Sequence, residues 1–266
     1  CSWGYISGAA NPFEWTPQYS TDEEWEYYNV LERKALDYFI HNAGSPDGVI
    51  EGGLAIFAGG NEAAPAASYP GAYPDFIAVA ATAADFTPAV YSNYGPGTTI
   101  SAPGGDQDYY YEYADADHWV GEGGCILSTV PFNVSETGYA YMEGTSMACP
   151  HVSGVVALGM SYALMIGKKY SREEFISKLL TSAVNIDIYQ TGTAERLMVS
   201  GTSYMPVDVF VKKNRMGTGL VNAWNFLMAL EGTPNMMAKT GEKVVIKLAD
   251  VLGDTYPDFA YTVSMD

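Results

Sequence analysis

Histidine, cysteine and positive charge are all scarce in this sequence. Three histidines, His41, His118 and His151, stand among 266 residues. Any chemistry that needs an imidazole base therefore has three candidates to offer. The three cysteines, Cys1, Cys125 and Cys149, are odd in number and form no CxxC pair. That excludes a disulfide framework and the common zinc spacings. Thirteen Lys and Arg against 31 Asp and Glu leave a net charge of -18. Such a chain repels a phosphate backbone, which argues against nucleic acid as a partner. No run approaches the ~20 apolar residues that span a bilayer, so no membrane span is expected. The sequence does not begin with Met and opens with no charged-then-apolar leader. Both ends, "CSWGYISG" and the strand-like "FAYTVSMD", read as cuts through structure, made by processing or by design.

What is present is apolar. Hydrophobic residues are 48% and charged residues 17%, enough for a real core. Thr21 with Glu24 is a capping-box pair. It predicts an amphipathic helix over residues 22–41, burying Trp25, Tyr28, Leu31, Ala35, Tyr38 and Phe39, and stopped by Gly44 and Pro46. "LAIFA" (54–58), "DFIAVAAT" (75–82) and "TTISAPGG" (98–105) are short apolar runs bounded by turns, the pattern of strands buried on both faces. Helices are predicted over residues 146–166, 172–183 and the stretch "GTGLVNAWNFLMAL". The small residues Ala148, Ser153, Gly154, Ala157 and Gly159 suit close packing of the first of these. Helices with buried strands predict an α/β fold, a mainly parallel sheet flanked by helices. Residues 105–124, rich in Tyr and Asp, and residues 186–213 read as surface insertions. From about residue 232 the pattern alternates like half-exposed strand. The expected division is a domain over 1–231 and the start of a truncated β-rich segment over 232–266, too short to bury a core alone.

"GTSMACPHVSG" carries the chemistry. Ser146 precedes an apolar helix and follows Gly144, where a backbone N–H can meet an oxyanion; an N-capping serine would show the same short pattern. The longer string resembles the serine motif of subtilisin-like serine peptidases. "AGGNEAAP" (58–65) resembles the same family's oxyanion segment, "YPGAYPDFIAVAA" the strand and turn after it, and "SNYGPGTTISAPGG" and "GTGLVNAWNFL" later segments in the same order. "CSWG" resembles the strand lining the primary specificity pocket. The resemblance covers about residues 1–230 apart from the two insertions. It implies a subtilisin-like fold and a serine endopeptidase with Ser146 as nucleophile and Asn61 as oxyanion donor. It further implies that Ser2, Trp3, Gly4, Ala58, Gly59 and Gly60 bind the polypeptide substrate, and that the protein is secreted or in the cell envelope. It also implies a cis Tyr69–Pro70 bond, which an aromatic before Pro and a Gly after it suit.

The histidines do not complete this site. His151, five residues after Ser146, faces away on a helix. His41 ends the first helix, where a cation suits the dipole. His118 lies in the acidic insertion, and nothing marks it as a base. The family's catalytic Asp and His motifs are absent, and in this fold the chain order is Asp, His, Ser. Both are expected upstream of Cys1. The chain alone is expected to be inactive, with the N-terminal fragment of the same domain as a partner. The alternative is a non-catalytic peptide- or surface-binding relative that kept the scaffold. No cofactor is required. The family often binds calcium, and Asp106, Asp108, Glu112, Asp115, Asp117 and Glu122 offer hard oxygen ligands, although they match no calcium-loop pattern and also suit a solvated loop. The metal ligands stay unassigned.

Overall fold

The computed structural model describes residues 1–5, 8–11, 14–44, 47–107, 121–190, 195–200 and 203–232. The expected β-rich segment 232–266, His118 and most of the acidic insertion fall almost wholly outside the described residues. The described elements run β1 (Gly8–Asn11), β2 (Glu14–Thr16), α1 (Asp22–Tyr28), α2 (Val30–Asn42), β3 (Ile56–Ala58), β4 (Ile77–Thr82), β5 (Ile100–Pro103), β6 (Ile126–Thr129), β7 (Tyr139–Met142), α3 (Thr145–Met165), α4 (Arg172–Thr181), β8 (Glu195–Ser200), β9 (Ser203–Asp208) and α5 (Ala223–Glu231).

A parallel sheet in the order β3-β4-β5 is the centre. Its strands come from the three short apolar runs, and β4 is buried at all six positions. Backbone bonds extend it on both sides. Cys1 N donates to Ile56 O at 2.7 Å, and Ala58 N donates to Cys1 O at 3.1 Å. On the far side Ser101 N donates to Gly219 O and Val221 N donates to Ser101 O. Side chains of β3 alternate between two cores. Ile56 and Ala58 join Val79, Val152, Val156, Phe175 and Phe226 under α3, α4 and α5. Phe57 points the other way, to Trp25, Ile40 and Phe76 under α1 and α2. The result is helices on both faces of a parallel sheet.

Three expectations need correction. The single helix over 22–41 is two helices, broken at Asn29 (φ -122°, ψ 38°), whose amide donates to Trp25 O at 3.0 Å. The break resets the helical phase. Of the predicted inward set only Trp25 is buried, while Tyr28, Ala35, Tyr38 and Phe39 are exposed and Leu31 is 84% exposed. Ile40 and Leu36 point inward instead. Second, residues 186–213 are more than a surface insertion: Ile186, Val209 and Lys212 are buried, and β8 pairs with β9 as a hairpin. Third, α3 is 21 residues long with mean hydropathy 1.3, so by length and composition it could cross a membrane. Here it packs Ala148, Val152 and Val156 against the sheet. Gly159 sits close under the Phe226 ring, whereas Gly154 and Ala157 are exposed. A capping box on Ser171 and Glu174 starts α4, and the Tyr69–Pro70 bond is cis, as expected.

Candidate active site

The residues of interest gather where the carboxyl end of β3 meets the start of α3. Gly144 is the residue before α3, with φ 143°, a conformation that favours glycine. Its place makes Thr145 and Ser146 the first two helical residues, so Ser146 is not the cap. Their N–H groups belong to the first turn, which has no intrahelical acceptor.

Asn61 lies in the loop after β3. Its Oδ1 accepts from Thr145 N at 2.9 Å and from Thr145 Oγ1 at 2.8 Å. Two donors on one oxygen fix the orientation of the amide. The Nδ2 donor is thereby turned toward the helix start, 3.5 Å from where a side chain on Gly144 would begin. Gly60 N donates to Thr145 Oγ1 at 3.1 Å, so Thr145 clasps the loop from both ends.

Ser146 is half-buried. Its Oγ donates to the Ser2 carbonyl at 3.3 Å, and Ser2 Oγ donates to the Ser146 carbonyl at 2.8 Å. A 280 Å³ pocket opens beside it, with Ser2, Trp3, Gly4, Ala58, Gly60 and Asn61 on its walls. Gly59 is not on those walls; it is buried, and its N–H donates to Val79 O. Tyr5, Glu62, Ser68 and Thr145 complete the lining.

Neither described histidine approaches Ser146 as a base. His151 is exposed, and its Nδ1 meets Met147 O at 2.8 Å. His41 Nδ1 meets Asp37 O at 2.8 Å at the end of α2. Cys149, one turn after Ser146, is buried and its thiol donates to Ile56 O, a packing role.

Sequence reasoning missed the supports of this site. Asn93 Oδ1 accepts from Glu62 N and Ala64 N, and its Nδ2 donates to the Glu62 carboxylate at 2.7 Å. The Tyr91 hydroxyl accepts from Gly144 N at 2.8 Å, an N–H it shares with Gly104 O at 3.0 Å, and donates to Gly105 O at 2.5 Å. Burial, then the nearby Asp106 and Glu143 carboxylates, push the Tyr91 phenol well above its ordinary range. A polar "YSN" inside an otherwise apolar stretch was the available signal. Asp106 is not part of a solvated loop: it is fully buried and accepts from Val90 N at 2.6 Å. Among the described residues no group of three His, Cys, Asp or Glu side chains could hold a metal ion. The other acidic candidates, Asp108, Glu112, Asp115 and Asp117, lie outside the described residues, as does the Glu122 side chain.

Comparison with known proteins places the family and the fold. The subtilase (Peptidase_S8) family model matches residues 2–219. Alkaline elastase YaB of Bacillus sp. (strain YaB) is 40% identical over 155 residues, which is 58% of this chain and 34% of that protein. An extracellular protease of Xanthomonas campestris pv. campestris is 39% identical over 119 residues, 43% of this chain and 17% of its own length. The chain thus spans about a third or less of these relatives. Among solved structures, a lanthipeptide protease superposes with a TM-score of 0.52 at 21% identity, over 79% of this chain and 58% of its own. The prenylagaramide maturation protease PagA gives 0.50 at 24%, over 80% and 57%. At these identities the structures speak for the fold alone.

Proposed function

The chain belongs to the subtilase family, and on that premise we propose that it supplies the nucleophile and oxyanion side of a serine endopeptidase site. A polypeptide substrate lies extended beside Ser2–Trp3–Gly4, with one side chain in the pocket between that strand and Ala58–Gly60. Ser146 Oγ attacks the scissile carbonyl. The charge that develops on the carbonyl oxygen is held by Asn61 Nδ2 and the Ser146 N–H. The observation that carries this reading is the double acceptance by Asn61 Oδ1. It fixes the amide with its donor toward the nucleophile's turn before any substrate arrives, and such preorganisation is a large part of catalysis of this kind.

Attack requires a base to take the Oγ proton. The Ser146 hydroxyl instead meets the Ser2 carbonyl, which accepts a hydrogen bond but is no base. The base and its orienting carboxylate are assigned to a segment of the same domain outside this chain, and the chain alone is inactive. A groove of 1080 Å³ beside Cys1, walled by Leu36, Phe39, Leu54, Ile56, Val156 and Met160, gives that segment a place to pack. A secreted or envelope location fits the extracellular protease among the relatives. No cofactor enters any step, and a structural calcium ion is left to the acidic insertion.

The second reading, a non-catalytic peptide-binding protein, draws on the same Ser146–Ser2 contact. An active-site phosphonate separates the two. The chain alone should label slowly. The chain joined to the upstream part of its domain should label rapidly at Ser146 and hydrolyse peptides, and Ser146→Ala should abolish both. Peptide binding without labelling in the complete protein would establish the second reading.

A further inference from the structure

Lys212 is fully buried at the end of a short 3-10 turn, Val209–Lys212, far in sequence from the site. Its ammonium donates to three backbone carbonyls: Ala89 O at 2.7 Å, Val90 O at 2.7 Å and Ser92 O at 2.9 Å. The Tyr94 ring lies 5.5 Å from the same nitrogen. Carbonyl oxygens converging on one point at these distances make a cation cage, and here the cation is tethered to the chain. A buried charge survives only when its hydrogen bonds are satisfied, and three converging carbonyls would repel one another without it.

The caged segment is the one that holds the site. The Val90 N–H goes to the Asp106 carboxylate. Tyr91 holds Gly144 through its hydroxyl and accepts from Ala63 N through its carbonyl at 2.7 Å. Asn93 holds Glu62 and Ala64 through its side chain, and its N–H donates to Gly60 O at 3.0 Å. Gly144 fixes where α3 and Ser146 begin, while residues 60–64 fix Asn61. One five-residue segment thus ties the nucleophile's turn to the oxyanion donor's loop, and its outward carbonyls end on Lys212.

We infer that Lys212 is a positioning residue for the Ser146 reaction, a tethered cation whose grip on the carbonyls of Ala89, Val90 and Ser92 sets Asn61 against Ser146. This rests on the reading of Ser146 and Asn61 given above. The ammonium does not touch substrate. It acts through Tyr91 and Asn93, so its loss should spoil geometry in the transition state more than substrate binding.

The test uses the complete protein that carries this chain, with Lys212→Met, which keeps the stem and removes the charge, and Lys212→Ala, which leaves room for a free cation. In Lys212→Met, kcat should fall by about tenfold or more with KM little changed, since small misplacements of reacting groups are costly. Methylammonium should restore kcat in Lys212→Ala and not in Lys212→Met. Amide exchange, read by NMR in the same variants, should rise at Gly144, Thr145 and Ala64 and stay unchanged in α4. Unchanged kcat and exchange, or exchange that rises equally in α4, would overturn the inference. If the wild type proves inactive, the catalytic reading falls, and local exchange with methylammonium rescue still decides whether Lys212 anchors the segment. Should both lysine variants fail to fold, Asn93→Ala tests the same path: Ala64 exchange should rise while Gly144, held by Tyr91 and by the Gly104 carbonyl, stays protected, and no change at Ala64 would overturn it.

Discussion

The two faces of the central sheet are packed by different means. On the α3 face the contacts are aliphatic, small and uncharged: Ile56, Val79, Ala148, Val152 and Val156, closed by Phe175 against Phe226 with ring centroids 5.1 Å apart. On the α1–α2 face the contacts are aromatic, and the rings end on carboxylates. Tyr5 donates to Glu32 at 2.5 Å, Tyr69 to Asp22 at 2.6 Å, and Tyr73 to Glu26. The Arg33 guanidinium lies 4.4 Å over the Tyr73 ring and pairs with Asp75 at 3.0 Å. The first face depends on shape and the second on protonation state. The candidate site is built at the end of the first, where hydrogen bonds hold Asn61 and the start of α3, and its pocket opens toward the second through Trp3 and Tyr5.

The sharpest way to break this comparison is to empty one position on the shape-dependent face. Phe226 is fully buried and rests on Gly159, which has no room for a side chain. Phe226→Ala should cost about 3–5 kcal/mol in urea unfolding. Leu31→Ala, on the exposed side of α2, should stay within about 0.5 kcal/mol. Equal losses would mean that α2 is covered in the protein and that its exposed residues are an interface. At the site itself, Asn61→Ala in the complete protein should lower kcat by about 10²–10³, a range that itself comes from removing such a donor in a subtilisin. A loss in KM alone would assign Asn61 to binding.

The aromatic face predicts an alkaline weakness. Burial and the Glu32 carboxylate raise the Tyr5 phenol, burial and Asp22 raise Tyr69, and Glu26 and burial raise Tyr73. A phenol raised on folding is held neutral by the fold. Its stabilisation is complete below the unfolded value of about 10 and is lost as pH rises from there. The melting temperature should therefore fall above about pH 10. The triple variant Tyr5→Phe, Tyr69→Phe, Tyr73→Phe should start lower at neutral pH and fall less steeply in alkali. Buried Tyr91 keeps part of the slope in both. A parallel fall would place the alkaline sensitivity on the α3 face.

The same contrast explains what was legible in the sequence. Strands buried on both faces read as short apolar runs, so β3, β4 and β5 were visible, as was the long helix after Ser146. The aromatic face obeyed no such pattern. Arg33 lies inward over Tyr73 and Phe76, while Leu31 and Tyr38 face out, so hydrophobic periodicity pointed to the wrong side of α2. The break at Asn29 carries no Gly or Pro to announce it. Ser146 and Asn61 were found through motif resemblance, because nothing in a single Ser or Asn declares its neighbours. Tyr91, Asn93 and Lys212 were hidden for a further reason. Their partners are backbone groups tens of residues away, and a lysine in a polar stretch reads as solvated until three carbonyls are seen to meet it.

The smallest expected effect compares one helix start from each face. On the α3 face, Ser171 caps α4 with both bonds of the capping box: its hydroxyl accepts from Glu174 N at 3.1 Å, and Glu174 accepts from Ser171 N at 3.0 Å. On the aromatic face, Thr21 accepts from Glu24 N at 3.2 Å, but the Glu24 carboxylate takes Ser20 N instead. The box on α1 is therefore open by one residue. The helices differ too: α4 has ten residues and buries Phe175 and Leu179, whereas α1 has seven and buries Trp25 alone. Removing either hydroxyl strands one N–H at a surface where water can replace it, which keeps the cost small. Ser171→Ala should lower stability by about 1 kcal/mol. The Glu174 carboxylate keeps its bond to the backbone N–H of residue 171, but a ten-residue helix passes the fraying on to Phe175. Thr21→Ala should cost about half of that or less, because α1 has only seven residues to fray and Trp25 stays held by Tyr69 and Phe76 around it. Both are read as shifts in urea midpoint at constant m, which separates a lost cap from a changed unfolded state. A larger loss at Thr21 would show that the start of α1, and not its aromatic packing, holds that face to the sheet.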